Sequence, residues 1–140
     1  MKKLFLLTVC FFVTTLLMAA PVTVEQARQK AAEFLSTKGG SRRAPAQIVA
    51  QQTVLNAVDA KGQPYLYAFN VGSDNGFVIV SGDDRFRDVL GYSASGTFSN
   101  QDMPEHMKAW LQGYVDEMKY YDSIGYQPST EASASTSNLP

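Results

Sequence analysis

Three apolar runs, Tyr65–Val71 (YLYAFNV), Phe77–Val80 (FVIV) and Val89–Ser93 (VLGYS), stand too close together for a crossover to join any neighbouring pair. A parallel pairing needs a connection of about a dozen residues or more, and the stretches from Gly72 to Gly76 and from Ser81 to Asp88 are shorter than that. Successive strands therefore pair antiparallel. The Asn75-Gly76 pair is a hairpin signal, and the unbroken run containing Phe77 and Ile79 predicts a strand buried on both faces, with these two as structural residues. A more ragged strand signal runs from Ile48 to Val58 and ends in the turn Lys61-Gly62-Gln63-Pro64.

Helical periods flank this strand-rich centre. Thr23 stands three residues before Gln26, the spacing of a capping box. Val24, Ala27, Ala31, Phe34 and Leu35 then recur at helical intervals, and Gly39-Gly40 stops them, so the spacing predicts a helix over Val24 to Lys38. A second helix is expected to open near Pro104-Glu105, with Asp102 as its cap, and to run to about Ser123 before Gly125. Met107, Trp110, Leu111, Tyr114, Val115, Met118 and Tyr121 form its apolar stripe, so Trp110 and Tyr114 read as core residues and Tyr120 as outward-facing. The expectation is an α+β domain, an antiparallel sheet of three to four strands covered on one face by an N-terminal and a C-terminal helix.

The termini read differently from the centre. Lys2 and Lys3, then an apolar run from Leu4 to Met18 and the small pair Ala19-Ala20, have the pattern of a secretory signal peptide and are too short to be read first as a membrane span. Residues 1–20 are therefore expected to be removed, leaving 21–126 as the working domain, exported to the periplasm or beyond and without stable membrane insertion. Residues 127–140, rich in Ser and Thr, are expected to be a disordered tail or linker. Arg42-Arg43 reads as a solvated loop pair, with a processing site as the alternative.

Removing the leader changes the chemistry available. The full chain carries 12 basic and 13 acidic residues. Without Lys2 and Lys3 it becomes more acidic, which leaves no basic field for nucleic acid. Its one Cys, Cys10, departs with the leader, which excludes a disulfide framework and a Cys nucleophile, and with a single His no metal site or Ser/His/Asp triad assembles. The densest charge cluster, Asp83-Asp84-Arg85 with Arg87 and Asp88, lacks the loop of a calcium site and reads as a turn, with Asp capping one helical turn over Arg85 to Asp88. His106 reads as an exposed polar residue of the second helix, and Glu105 as a helix-dipole residue. The residues alone describe an exported binding or inhibitory module, without catalytic machinery, cofactor or metal.

The stretch GFVIVSGDDRFRDVLGYSASGTF (Gly76 to Phe98), followed by PEHMKAWLQGY (Pro104 to Tyr114), resembles the propeptide of streptopain-type cysteine peptidases, including interpain-like enzymes, and the related Spi-type inhibitor domains. VTVEQARQKAAEFL and YLYAFNV match the same pattern in the same order, so the resemblance covers about residues 22–125. It implies an α+β module that packs against a papain-like domain, fills its cleft and pushes the catalytic His away, with Asn100, Asp102, Pro104, Glu105 and His106 as peptidase-contacting positions. The blocking residue of the family is commonly Asn in a P-x-N-(L/I/M)-x-x-(W/F) pattern. Here Pro104-Glu105-His106-Met107-Lys108-Ala109-Trp110 matches it with His106 in place of Asn, and imidazole can likewise donate and accept hydrogen bonds. The resemblance implies a streptopain-type peptidase as partner, inhibited in trans, or in cis if the chain is the first part of a zymogen. A surface-binding module without a peptidase partner is the alternative from another class.

Overall fold

A computed structural model describes residues 21–38 and 47–127. The expected leader, the Gly39-Gly40 stop, the Arg42-Arg43 pair and the expected tail beyond Gln127 lie outside the described residues. Helix α1 (Val24–Lys38) is followed by strand β1 (Ile48–Thr53), a 3-10 turn (Val54–Asn56), strands β2 (Leu66–Val71), β3 (Phe77–Ser81) and β4 (Val89–Ser93), and helix α2 (Glu105–Ile124). The strands form one antiparallel sheet in the order β1-β2-β3-β4, a meander in which each neighbour in sequence is a neighbour in space. This is the α+β class that the short connections require.

Local chemistry explains why the elements begin and end where they do. The Thr23 amide donates to Gln26 Oε1 at 2.9 Å and the Gln26 amide to Thr23 Oγ1 at 3.3 Å, so the capping box is formed and α1 has the expected bounds. At the other end of the chain Gly125 closes α2 in the left-handed region at φ 61°, its amide donating back to Asp122 O. The β2–β3 hairpin turns at Gly76, whose φ of 103° and close approach to Ser93 O leave no room for a Cβ.

The placement of the helices differs from the one-face expectation. Leu66, Ala68, Ile79 and Leu90 of the sheet pack with Leu111, Val115 and Met118 of α2, together with Val54 and Phe98. Tyr67, Phe69, Val78 and Val80 point the other way and pack with Ala27 and Ala31 of α1 and with Val22. One helix thus covers each face. The reason is legible in β2, which is buried at all six positions: a strand with no polar side cannot leave one face to water. Ala27 and Ala31 are fully buried, and small residues there bring the α1 backbone close to the sheet.

Three smaller expectations are also corrected. Asp102 is exposed and does not cap α2; Pro104 occupies the cap position, without a side-chain cap bond, and its carbonyl accepts from Lys108 N at 2.9 Å. Trp110 is 44% exposed, so it is not a core residue. The fully buried line of α2 is the narrower set Leu111, Val115 and Met118, with Met107, Tyr114 and Tyr121 half-buried beside it. The Asp83 to Asp88 segment is a tight turn, with Phe86 N bonded to Asp83 O at 3.2 Å, rather than a helical turn.

Candidate functional site

The segment between β4 and α2 is a connector that holds no regular structure but is fastened at several points. Phe98 is 3% exposed and lies edge-on to Phe77 at 5.7 Å, and Met103 packs partly buried on the same core. Asn70, a polar residue inside an otherwise apolar strand, donates from Nδ2 to Phe98 O at 3.1 Å and accepts from Phe98 N at 2.8 Å. Gln52 Nε2 donates to the same carbonyl at 3.0 Å. Asn100 accepts from Leu55 N at 2.8 Å and donates to Thr53 O at 2.9 Å. Between and after these anchors Gln101, Asp102, Pro104, Glu105 and His106 are all exposed. A peptide ridge therefore stands out from a buried footing.

His106 and Trp110, one helical turn apart, share a hollow of about 330 Å³ with Phe77, Ile79, Gly91, Tyr92 and Met107. The indole reaches Gly91 so closely that a Cβ there would lie 3.0 Å from Trp110 Cη2. It also meets Tyr114, edge-on at 5.5 Å. Tyr92, 51% exposed, is held from the opposite face by Phe34 of α1 at 5.1 Å. The Trp110 indole thus faces water beside the imidazole, braced from behind, while Tyr92 borders the hollow from β4 with its ring on Phe34, at the α1 side of the sheet.

Of the residues expected at the site, Asp102, Pro104, Glu105 and His106 come together on the exposed ridge. Asn100 does not join them: its carboxamide is turned inward and spent on Thr53 and Leu55. Ile79 is buried, whereas Phe77 and Tyr114 are half-buried beneath and beside the indole. Gly91, Tyr92 and the amide anchors Gln52 and Asn70 were not singled out by the sequence. For Asn70 the signal was present, since a carboxamide in the middle of YLYAFNV demands a partner once buried.

A second cluster holds the far end of α2. Arg85, whose side chain is 7% exposed, binds Asp83 through Nε at 2.9 and 3.0 Å and also pairs with Asp122 through Nη2. Tyr65 Oη donates to Asp122 Oδ2 at 3.0 Å. The two carboxylates, Asp83 foremost, hold the Arg85 guanidinium above its already high ordinary value. Burial, helped by the hydrogen bond to Asp122, pushes the Tyr65 phenol up to about 12. This network joins the β3–β4 turn, the start of β2 and the end of α2. Among the described residues no group of three or more His, Cys, Asp or Glu is placed to hold a metal ion, and no helix is long and apolar enough to cross a membrane.

Fold and site together define a small α+β domain that presents a pinned polar ridge next to a braced aromatic hollow. The Spi protease inhibitor family model matches residues 19–118, and the chain belongs to that family as a propeptide-like protease-inhibitor domain. It is 33% identical over 122 residues to the thiol protease/hemagglutinin PrtT of Porphyromonas gingivalis, covering 84% of this chain and 14% of that protein. It is also 34% identical over 98 residues to streptopain of Streptococcus pyogenes, covering 68% of this chain and 24% of that protein. The matched stretch is thus a minor part of each relative. No solved structure matches the chain.

Proposed function

We propose that the chain is an exported, non-catalytic inhibitor of a streptopain-type cysteine peptidase, with residues 21–126 as the inhibitory domain. The ridge from Asp102 to His106 enters the active-site cleft, and the hollow around Trp110 and Tyr92 meets its rim. A papain-like site depends on a Cys thiolate paired with a His, so a ridge that fills the cleft and displaces the imidazole stops turnover without chemistry of its own. One observation carries this reading: in a domain of a protease-inhibitor family, the exposed residues of an irregular segment stand on a footing of buried side chains and amide bonds. That is the form a binding surface takes when little ordering entropy remains to be lost on association. The braced, half-exposed Trp110 beside it is of a residue type enriched in interface hot spots.

The size of the relatives favours a second reading, in which the same contacts are made in cis as the prodomain of a longer peptidase. The sequence encoded after Pro140 separates the two, since a frame leading to a Cys and a later His makes the chain part of a zymogen. Inhibition itself is tested by titrating the purified protein against mature streptopain. Slowed substrate cleavage at micromolar inhibitor is expected, and full activity beside a cooperatively folded sample contradicts the proposal.

A further inference from the structure

We propose that Asn100 is a positioning residue, a clasp that fastens the ridge to a strained turn across the sheet and keeps the ridge from being cut by the peptidase it blocks. The second half of this inference rests on the inhibitory reading above, and the first half concerns the free protein alone.

The strain lies in the 3-10 turn after β1. Leu55 has φ 56° and Asn56 φ 50°, both in the left-handed region. For leucine that conformation crowds Cβ against the backbone and persists only where the surroundings hold it. The side chain that holds it is Asn100, 45 residues further along the chain. Its carboxamide oxygen takes the Leu55 amide and its nitrogen gives to the Thr53 carbonyl, so one side chain spans both sides of the buried Val54. A carboxamide offers one acceptor and two donors and can stand in for a neighbouring strand. Asn100 does this for the turn, while Gln52 and Asn70 do it for Phe98. The Asn100 amide also points to Gln52 Oε1 at 3.4 Å, closing the set.

The consequence for a peptidase inhibitor is kinetic. Exposed irregular segments are preferred sites of nicking, and cleavage follows the population of the locally opened form when reclosing is fast. The ridge begins two residues after Asn100 at Asp102. Two hydrogen bonds at Asn100, added to the burial of Phe98 and Met103, keep the closed form dominant. Asn100 thus touches no reacting atom; it keeps the ridge an obstacle instead of a substrate.

The test compares the purified wild-type chain with Asn100→Ala and with Asn100→Asp, which keeps the acceptor for Leu55 but loses the donor to Thr53. Each is incubated with mature streptopain, inhibition and intact mass are followed together, and amide hydrogen exchange is measured without peptidase. The expected result is an intact, inhibitory wild type and variants that inhibit about tenfold less well and are cut between residues 98 and 106, with faster exchange at Phe98 in both and at Leu55 in Asn100→Ala. A merely structural role would lower the melting temperature without directing cleavage to that segment. Variants that inhibit equally and stay uncut overturn the proposal, as does unchanged exchange at Leu55 in Asn100→Ala, which alone removes the acceptor. If the wild type does not inhibit at all, the functional reading fails and exchange alone decides the clasp: acceleration supports it and no change removes it. Should Asn100→Ala not fold, Asn100→Asp carries the comparison through inhibition, cleavage and exchange at Phe98, with unchanged values in all three overturning the proposal.

Discussion

His106 carries the most consequence for the least structural investment. It is exposed on the first turn of α2, so removing its ring takes away little buried surface. His106→Ala is therefore expected to leave the melting temperature within about 2–4 °C (about 0.5 kcal/mol or less) while weakening peptidase inhibition; unchanged inhibition removes it from the contact. Trp110 belongs with it. At 44% exposure Trp110→Ala is expected to cost well under the roughly 3–5 kcal/mol of a buried tryptophan, yet to weaken inhibition by a comparable or larger factor. A collapse of stability in a thermal melt would return Trp110 to the core. Periodicity alone could not make this distinction, because Trp110 and Leu111 are neighbours on the same stripe. What separates them is Gly91 on β4: the missing Cβ leaves a seat for the indole outside the core. The inward bonds of Asn100 were illegible for a similar reason, since its partners Thr53 and Leu55 are remote in sequence.

Elements whose ends are written locally were legible in full. The Thr23/Gln26 box fixes the start of α1, and Gly125 fixes the end of α2. The 3-10 turn was not legible, because a left-handed leucine has no local signature and exists through a distant carboxamide. The end of α2 has its own long-range tie in the Tyr65–Asp122–Arg85 network, and this yields a pH prediction. The unfolded Tyr65 phenol releases its proton near 10.0, whereas the folded one keeps it to about 12. Below pH 10 both states are protonated and the contribution is fully present. Above it the unfolded state binds fewer protons, so stability falls as pH rises toward 12, by at most about 1.4 kcal/mol per pH unit from this group. Urea unfolding between pH 8 and 11 is expected to show a shallower alkaline loss for Tyr65→Phe than for the wild type, and identical slopes would contradict it. Tyr67, also raised by burial, acts in the same direction in both proteins.

For the whole molecule, the sheet with a helix on each face makes a thin, two-sided support on which one end of α2 and the connector before it are raised into solvent. The all-buried β2 and the apolar run of β3 already implied two covered faces, so the one-face expectation erred by counting helices and not strand faces. Amides from β1 and β2 secure the connector, the ion network secures the far end of α2, and the exposed ridge lies between them. In the proposed function, such an arrangement would inhibit by occupying the cleft and not by acting at a distance. The measurement that bears most directly on this is binding of the purified chain to mature streptopain whose cleft is already filled by a covalent peptidic ligand on its catalytic Cys, compared with the free enzyme. Occupation of the cleft predicts at least about a hundredfold weaker binding to the filled enzyme, and equal affinity for the two forms would contradict it.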